Sequence, residues 1–158
     1  MSTYHHGELR PTLLGTAAKI LEKEGLDAIS LRDLARRAGV SHNAPYRHFA
    51  DREALLAALA AEGFSLLVAE LSARTWREQA MAYLRFALVR PERFRLMFSR
   101  AAPATLRRIV EGDAVAQATW AMVHGLTVLI LSGHFAGRDP EALLREMLAA
   151  VRFAQRSA

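Results

Sequence analysis

Apolar residues recur at intervals of three and four along almost the whole chain, the spacing of helices rather than strands. Leu13, Leu14, Ala17, Ile20 and Leu21 predict a helix over 9–24, stopped by Gly25. Leu31, Leu34, Ala35 and Ala38 share one face of a second helix over 30–38, with Ser30 as its N-cap. Gly39 follows where the chain must turn and positive φ suits glycine. Val40 plugs the turn, and Ser41 is placed to cap a third, short helix over 41–49, which the small Ala35 lets approach closely. Pro45 removes an early hydrogen bond there, so the start should be tight or 3-10-like. Asp51 caps a long helix to about residue 71, with Leu55, Leu56, Leu59, Leu66 and Leu67 inward. Further helices are predicted over 76–90, 91–99 (opened by Pro91), 114–132 and 140–155, with a helix or fragment over 103–111. The 114–132 helix is apolar nearly all round and should be buried or lie in an interface; with the 140–155 helix, whose Leu144, Met147, Leu148 and Val151 form an apolar stripe, it should pair with its copy as a four-helix bundle. Strand patterns, repeats and low-complexity tracts are absent from the sequence, so the fold class is all-α.

Residues 30–49 stand out as a capped helix, a glycine turn and a second short helix, the arrangement of a DNA-binding helix-turn-helix. The second helix carries His42, Asn43, Tyr46, Arg47 and His48 within seven residues. Asn pairs with adenine at two points, Arg grips guanine or a phosphate, and Tyr and His usually serve the backbone. The alternative is a polar, solvated face that touches nothing. Caps, turn and polar cluster agree, and they favour DNA.

The first seventy residues resemble the N-terminal domain of the TetR family of bacterial transcriptional repressors. The matching segments are YHHGELR at 4–10, the helix 12–24 closed by Gly25, ISLRDLARRAGVS at 29–41, YRHF at 46–49 and ADREALL at 50–56. The chain departs from the family pattern at Arg52, where a lysine is usual, and at Pro45, where a helix-favouring apolar residue is usual. The resemblance implies a helix-turn-helix domain over 1–50 and a helical ligand-binding and dimerisation domain over 51–158, linked by the 51–71 helix. It implies DNA contacts from Arg32, Ser41, His42, Asn43, Tyr46, Arg47, His48 and Arg52. Asn43 or Arg47 would read bases, and Tyr46, His48 and Arg52 would hold phosphates. His5 and His6 would belong to an arm beside DNA rather than a metal tract. The implied partners are double-stranded operator DNA, a small hydrophobic or aromatic effector and a second copy of the chain.

At 52% hydrophobic residues the chain can bury a sizeable core, and it holds no cysteine for disulfide or thiolate chemistry. The first ten residues are polar and do not read as a signal peptide, and the apolar run 120–131 reads as too short for a bilayer. A cytoplasmic protein without a membrane partner is expected. Net charge is +5, yet residues 1–55 hold eight Lys and Arg against seven Asp and Glu. The local stretch 30–49 is basic, with four arginines against one aspartate. Residues 74–108 are more lopsided, nine arginines against Glu78 and Glu92, which leaves a second nucleic-acid patch as one reading. Set against the resemblance, 72–75 and 101–113 are short connections, and the preferred reading is that acidic loops are missing from this numbering.

The C-terminal half is rich in Tyr83, Phe86, Phe94, Met97, Phe98 and Trp120. Such side chains line an apolar cavity or make an ordinary core. The resemblance implies an effector pocket near Phe86, Phe94, Met97, Phe98, Trp120 and His124, between the 51–71, 76–90, 91–99 and 114–132 helices. WAMVHGL at 120–126 is similar to the C-terminal domain type of that family named for its Trp, His and Gly. Trp120 and His124 stand four apart on one helix face. His134 does not share that face, and no carboxylate or cysteine stands at ligand spacing, so no metal or cofactor is expected. An enzyme is not expected either: no Ser/His/acid set and no phosphate loop is found. Two other readings stay open, an enzyme using the aromatic cavity and an interaction dimer whose helix-turn-helix no longer binds DNA.

Overall fold

The computed structural model describes residues 9–72, 74–99 and 114–150, and all its regular elements are helical. They are α1 (Leu9–Glu24), a 3-10 turn (Leu26–Ala28), α2 (Leu31–Arg37), a second 3-10 turn (Pro45–Arg47), α3 (Arg52–Leu71), α4 (Trp76–Val89), α5 (Pro91–Met97), α6 (Ala114–Leu131) and α7 (Pro140–Ala150). The arm at 4–8, the 103–111 segment and the end of the last helix lie outside the described residues.

Two compact units form. One comprises residues up to Ser65 together with the segment from Glu92; the other comprises Leu66–Pro91 and the residues from Ala104 on. In the first unit the sequence periodicity becomes a core. Leu13, Leu14, Ala17, Ile20 and Leu21 of α1 meet Leu31 and Leu34 of α2, Phe49, and Leu55, Leu56, Leu59 and Ala60 of α3. Leu96 of α5 joins the same cluster.

α5 belongs to this unit for an electrostatic reason. Its first amides point at Glu22 of α1, whose carboxylate accepts from Arg93 N–H at 2.9 Å and Glu92 N–H at 3.3 Å. Those amides have no partner inside their own helix, and a carboxylate suits the positive helix end. Arg93 is buried and pairs through Nη1 with Glu62 of α3 at 3.1 Å. Gly63 makes the close approach of α3 and α5 possible. A Cβ there would lie 2.7 Å from Met97 Sδ, 2.9 Å from Met97 Cγ and 3.2 Å from Arg93 Cγ. Gly63→Ala should therefore destabilise the protein. Overpacking against the fully buried Met97 costs about 1–3 kcal/mol. Better helix propensity returns only about 1 kcal/mol. A lower urea midpoint at unchanged slope would show the net loss; a higher midpoint would mean that Met97 has room to move.

In the second unit, α4 opens with a capping box. Thr75 N–H donates to Glu78 Oε2 at 2.8 Å while Thr75 Oγ1 accepts from Glu78 N–H at 3.5 Å. α4 packs on α6 and α7, burying Tyr83, Leu84, Phe86 and Ala87 with Val123, Leu126, Leu143, Leu144 and Leu148. An Arg85–Glu141 ion pair at 2.6 Å ties α4 to α7.

One expectation is narrowed and one corrected here. α6 is not buried in its own chain: only Val123, Leu126 and Thr127 are, and Val115, Val128 and Leu129 are 44%, 41% and 41% exposed. One chain supplies α4 and α7 to cover one side of α6, and a helix apolar all round keeps its other side bare. Leu66 likewise faces outward, with Val68, because the inward row of α3 runs through Leu59, Gly63, Phe64 and Leu67.

Candidate nucleic-acid interface and aromatic cluster

The turn after α2 forms as the sequence requires. Ser30 Oγ accepts from Asp33 N–H at 3.1 Å and caps the helix. At its end Gly39 takes φ 68°. Gly39 N–H bonds Arg36 O at 3.3 Å and Val40 N–H bonds Ala35 O at 3.0 Å, the paired closure of a Schellman turn. Asp33 is held by Arg36 and Arg37, and Arg37 also reaches Glu24 of α1. Two of the four local arginines are thus committed to carboxylates, while Arg32 and Arg47 are exposed.

The second helix is shorter and tighter than an α-helix over 41–49. Ser41 does not cap it: Ser41 O accepts from Ala44 N–H at 2.9 Å, and Ala44 itself precedes the 3-10 turn without a side-chain cap bond. Pro45 is the cause, since it has no N–H to return to Ser41 O in α-helical register. Only Phe49 N–H makes an α-type bond, to Pro45 O at 2.9 Å. The short turn still separates its faces. Ala44, Pro45 and Phe49 are buried, while Ser41, His42, Asn43, Tyr46 and Arg47 are exposed and His48 is half-buried. The His42 and Tyr46 rings lie 6.0 Å apart, and His42 Nδ1 is 3.4 Å from Asn43 Oδ1. An open groove beside them is lined by Ser30, Arg32, Arg36, Val40 and His42.

Arg52, expected as a phosphate contact, is held by two backbone carbonyls. Its Nε donates to Ile29 O at 2.9 Å and its Nη2 to Leu26 O at 2.7 Å. Sequence reasoning missed this, because a bond across 23 residues leaves no local pattern.

The aromatic residues assemble as two clusters. In the first unit Phe98 packs against Phe64 and Phe94, with ring centres 5.5 and 4.9 Å apart, and Met97 is fully buried. In the second, Trp120 stacks on His124 at 4.9 Å and 13° between planes, and Tyr83 Oη lies 2.8 Å from His124 Nδ1. Phe86, also in the second unit, is fully buried and carries the Arg90 guanidinium over its ring at 5.1 Å. Tyr83 was legible as an aromatic but not as the partner of His124, from which it is separated by 41 residues.

Burial pushes the Tyr83 phenol far above its ordinary value, partly offset by the Trp120 side chain, and burial pushes His124 below the usual histidine range. A depressed histidine is neutral when folded and binds a proton more readily unfolded. Its contribution to stability is complete above the unfolded value, about 6.5, and is lost as pH falls toward the folded value. The urea midpoint should drop between pH 7.5 and 5.5, and His124→Gln should flatten that drop; an equal drop in both would show that His124 is not its source.

The basic stretch from residue 74 is accounted for among the described residues. Arg74 bonds Glu70 O, Arg77 lies over Trp76, and Arg85, Arg90, Arg93 and Arg95 pair with Glu141, Glu70, Glu62 and Glu92. Each of these six described arginines thus has a partner within the chain. Among the described residues no group of His, Asp or Glu is arranged to hold a metal ion.

Comparison with known proteins agrees with this geometry. A solved protein of unknown function from Rhodococcus sp. RHA1 is 35% identical, with a TM-score of 0.77 over 95% of this chain and 96% of that one. On the two sides of residue 73, Arg74 Nε bonds Glu70 O at 2.6 Å and Gln79 Nε2 bonds Leu71 O at 3.3 Å. BioQ of Mycobacterium smegmatis is 25% identical, with a TM-score of 0.66 over 89% of this chain and 93% of that one. A TetR variant from Acinetobacter baumannii AYE, solved with minocycline, shares the fold at 22% identity, with a TM-score of 0.62 over 94% of each chain. No curated protein sequence matches. Residues 13–59 match the bacterial regulatory proteins of the tetR family. The chain thus carries, over residues 13–59, the N-terminal helix-turn-helix domain of the tetR family of bacterial regulatory proteins.

Proposed function

We propose that the protein is a homodimeric, sequence-specific DNA-binding transcriptional regulator, a repressor released by a small hydrophobic or aromatic ligand. The observation that carries this reading is the sorting of residues 41–49. Ala44, Pro45 and Phe49 anchor the turn in the core, and the hydrogen-bonding side chains of His42, Asn43, Tyr46 and Arg47 face out. A rigidly seated turn presenting such groups beside a capped helix suits entry into a major groove.

The dimer is assigned to α6. Residues 114–131 hold no charged side chain, and the face carrying Val115, Val128 and Leu129 is open in the single chain. The last helix contributes less than its apolar stripe suggests: Leu144 and Leu148 are used inside their own unit. The expectation that the apolar run 120–131 is too short for a bilayer is corrected, since the whole helix extends it: α3 and α6 are both long and apolar enough to cross a membrane by length and composition alone. α3 lines the core of the DNA-binding unit, and α6 is assigned to the second copy, so the protein is placed in the cytoplasm with its DNA.

The ligand is assigned to the Trp-His-Gly type of second domain, at Tyr83, Trp120 and His124. A stacked ring pair offers a planar surface, and the Tyr83–His124 bond a polar anchor. Release follows if the ligand prefers a dimer whose recognition turns are wrongly spaced, in proportion to its differential affinity for the two states. A mobility-shift titration with the DNA flanking its own gene tests the reading. A complex that survives excess random duplex supports it, and no retarded complex under low salt would defeat it.

A further inference from the structure

We propose that Arg52 is a positioning residue for base readout, acting through the backbone ahead of α2 and not on a DNA phosphate; this rests on the DNA-binding reading above. Arg52 is the first residue of α3, just beyond the turn that presents Asn43, Tyr46 and Arg47. Its two bonds end on Leu26 O and Ile29 O, and Ile29 directly precedes Ser30, the N-cap of α2. One side chain therefore ties together the two ends of the segment that holds the helix-turn-helix.

The chemistry of the fork suits the task. Leu26 O also accepts from Ile29 N–H at 3.3 Å, so Arg52 meets carbonyls at the closing end of a 3-10 turn, where a cation is favoured. A guanidinium supplies two donors in one plane, whereas lysine ends in a single nitrogen and cannot span two carbonyls in the same way. The position of Arg52 is set from both sides. Asp51 Oδ1 accepts from Ala54 N–H at 2.7 Å, and Phe49 is 3% exposed with Arg10 over its ring. The recognition turn is thus strung between a buried aromatic and a two-carbonyl clamp.

The test uses the full chain, Arg52→Lys and Arg52→Met. The probes are a duplex enriched by the wild type from a random pool and an unrelated duplex, each over a salt series. A positioning role predicts that Arg52→Met loses about tenfold or more on the enriched duplex. On the unrelated duplex it should change less than about twofold, with the slope of log affinity against log salt unchanged. Arg52→Lys should fail to restore selectivity. The inference is overturned if Arg52→Met lowers both affinities equally and flattens the slope by about 0.9, the signature of one lost phosphate contact. It is equally overturned if both affinities stay at the wild-type value. Should Arg52→Met not fold, Arg52→Lys decides alone: retained charge with retained selectivity means a phosphate contact, and retained charge with lost selectivity means positioning. A wild-type chain that enriches no duplex would overturn the DNA-binding reading itself.

Discussion

Val128→Glu combined with Leu129→Glu is expected to turn a dimer into a monomer and abolish tight DNA binding. Both side chains are 41% exposed on a helix without a charged residue, so the change should cost the folded monomer little. In a two-fold dimer each substitution occurs twice and faces its own copy or close neighbours. Losing apolar burial worth about 1.5–3 kcal/mol per side chain, with like charges brought together, weakens association by at least a hundredfold on the order of the usual conversion. Half-sites in successive major grooves are about 34 Å apart and need both recognition turns at once. Sedimentation equilibrium at micromolar concentration reads the result. A double variant that stays dimeric would place the interface elsewhere, and a monomeric wild type would remove the two-groove mechanism.

The second large effect concerns the exposed side of the recognition turn. Asn43→Ala and Arg47→Ala should each cost about 1–3 kcal/mol of binding to the preferred duplex, and each should relax preference at one base pair. Neither residue is buried, so stability should hardly change. Asn43 approaches the neighbouring imidazole of His42, which itself lies beside Tyr46, so His42→Ala should weaken readout indirectly and less. Competition titrations against single-base variants of the duplex separate these roles. Equal losses on preferred and random DNA for Asn43→Ala would deny it a base contact.

What the sequence made legible was local. The α2 cap at Ser30, the positive φ at Gly39, the Asp51 cap of α3 and the inward row of α1 all depend on residues within one or two turns of each other. Those rules are written in adjacent letters. The tight recognition turn was foreshadowed by Pro45, but its full consequence was not, because the loss of α-helical register depends on which bonds replace the missing one. Long-range pairings were invisible. Nothing near Arg52 points to Leu26 O, nothing near Tyr83 points to His124, and nothing in α5 announces that Glu22 will hold its first amides. The cover of α6 stayed open for a different reason. Hydrophobicity tells that a helix will be covered, not whether the cover comes from the same chain.

Charge was legible as a surplus but not as pairings. Among the described arginines from residue 74 on, each is bonded to a carboxylate or a carbonyl or lies over an aromatic ring. The turn proposed to enter the groove, by contrast, carries only Arg47 as a charged side chain and would depend on the geometry with which it presents a few donors. Affinity for random DNA should therefore be modest, and selectivity should come from the turn.

Hydroxyl-radical footprinting of the full chain on a duplex it has enriched from a random pool tests the central claim most directly. The account predicts two protected half-sites related by a dyad, centred about 34 Å apart along one face of the DNA. A footprint with a single half-site, or protection no stronger than on random sequence, would contradict it.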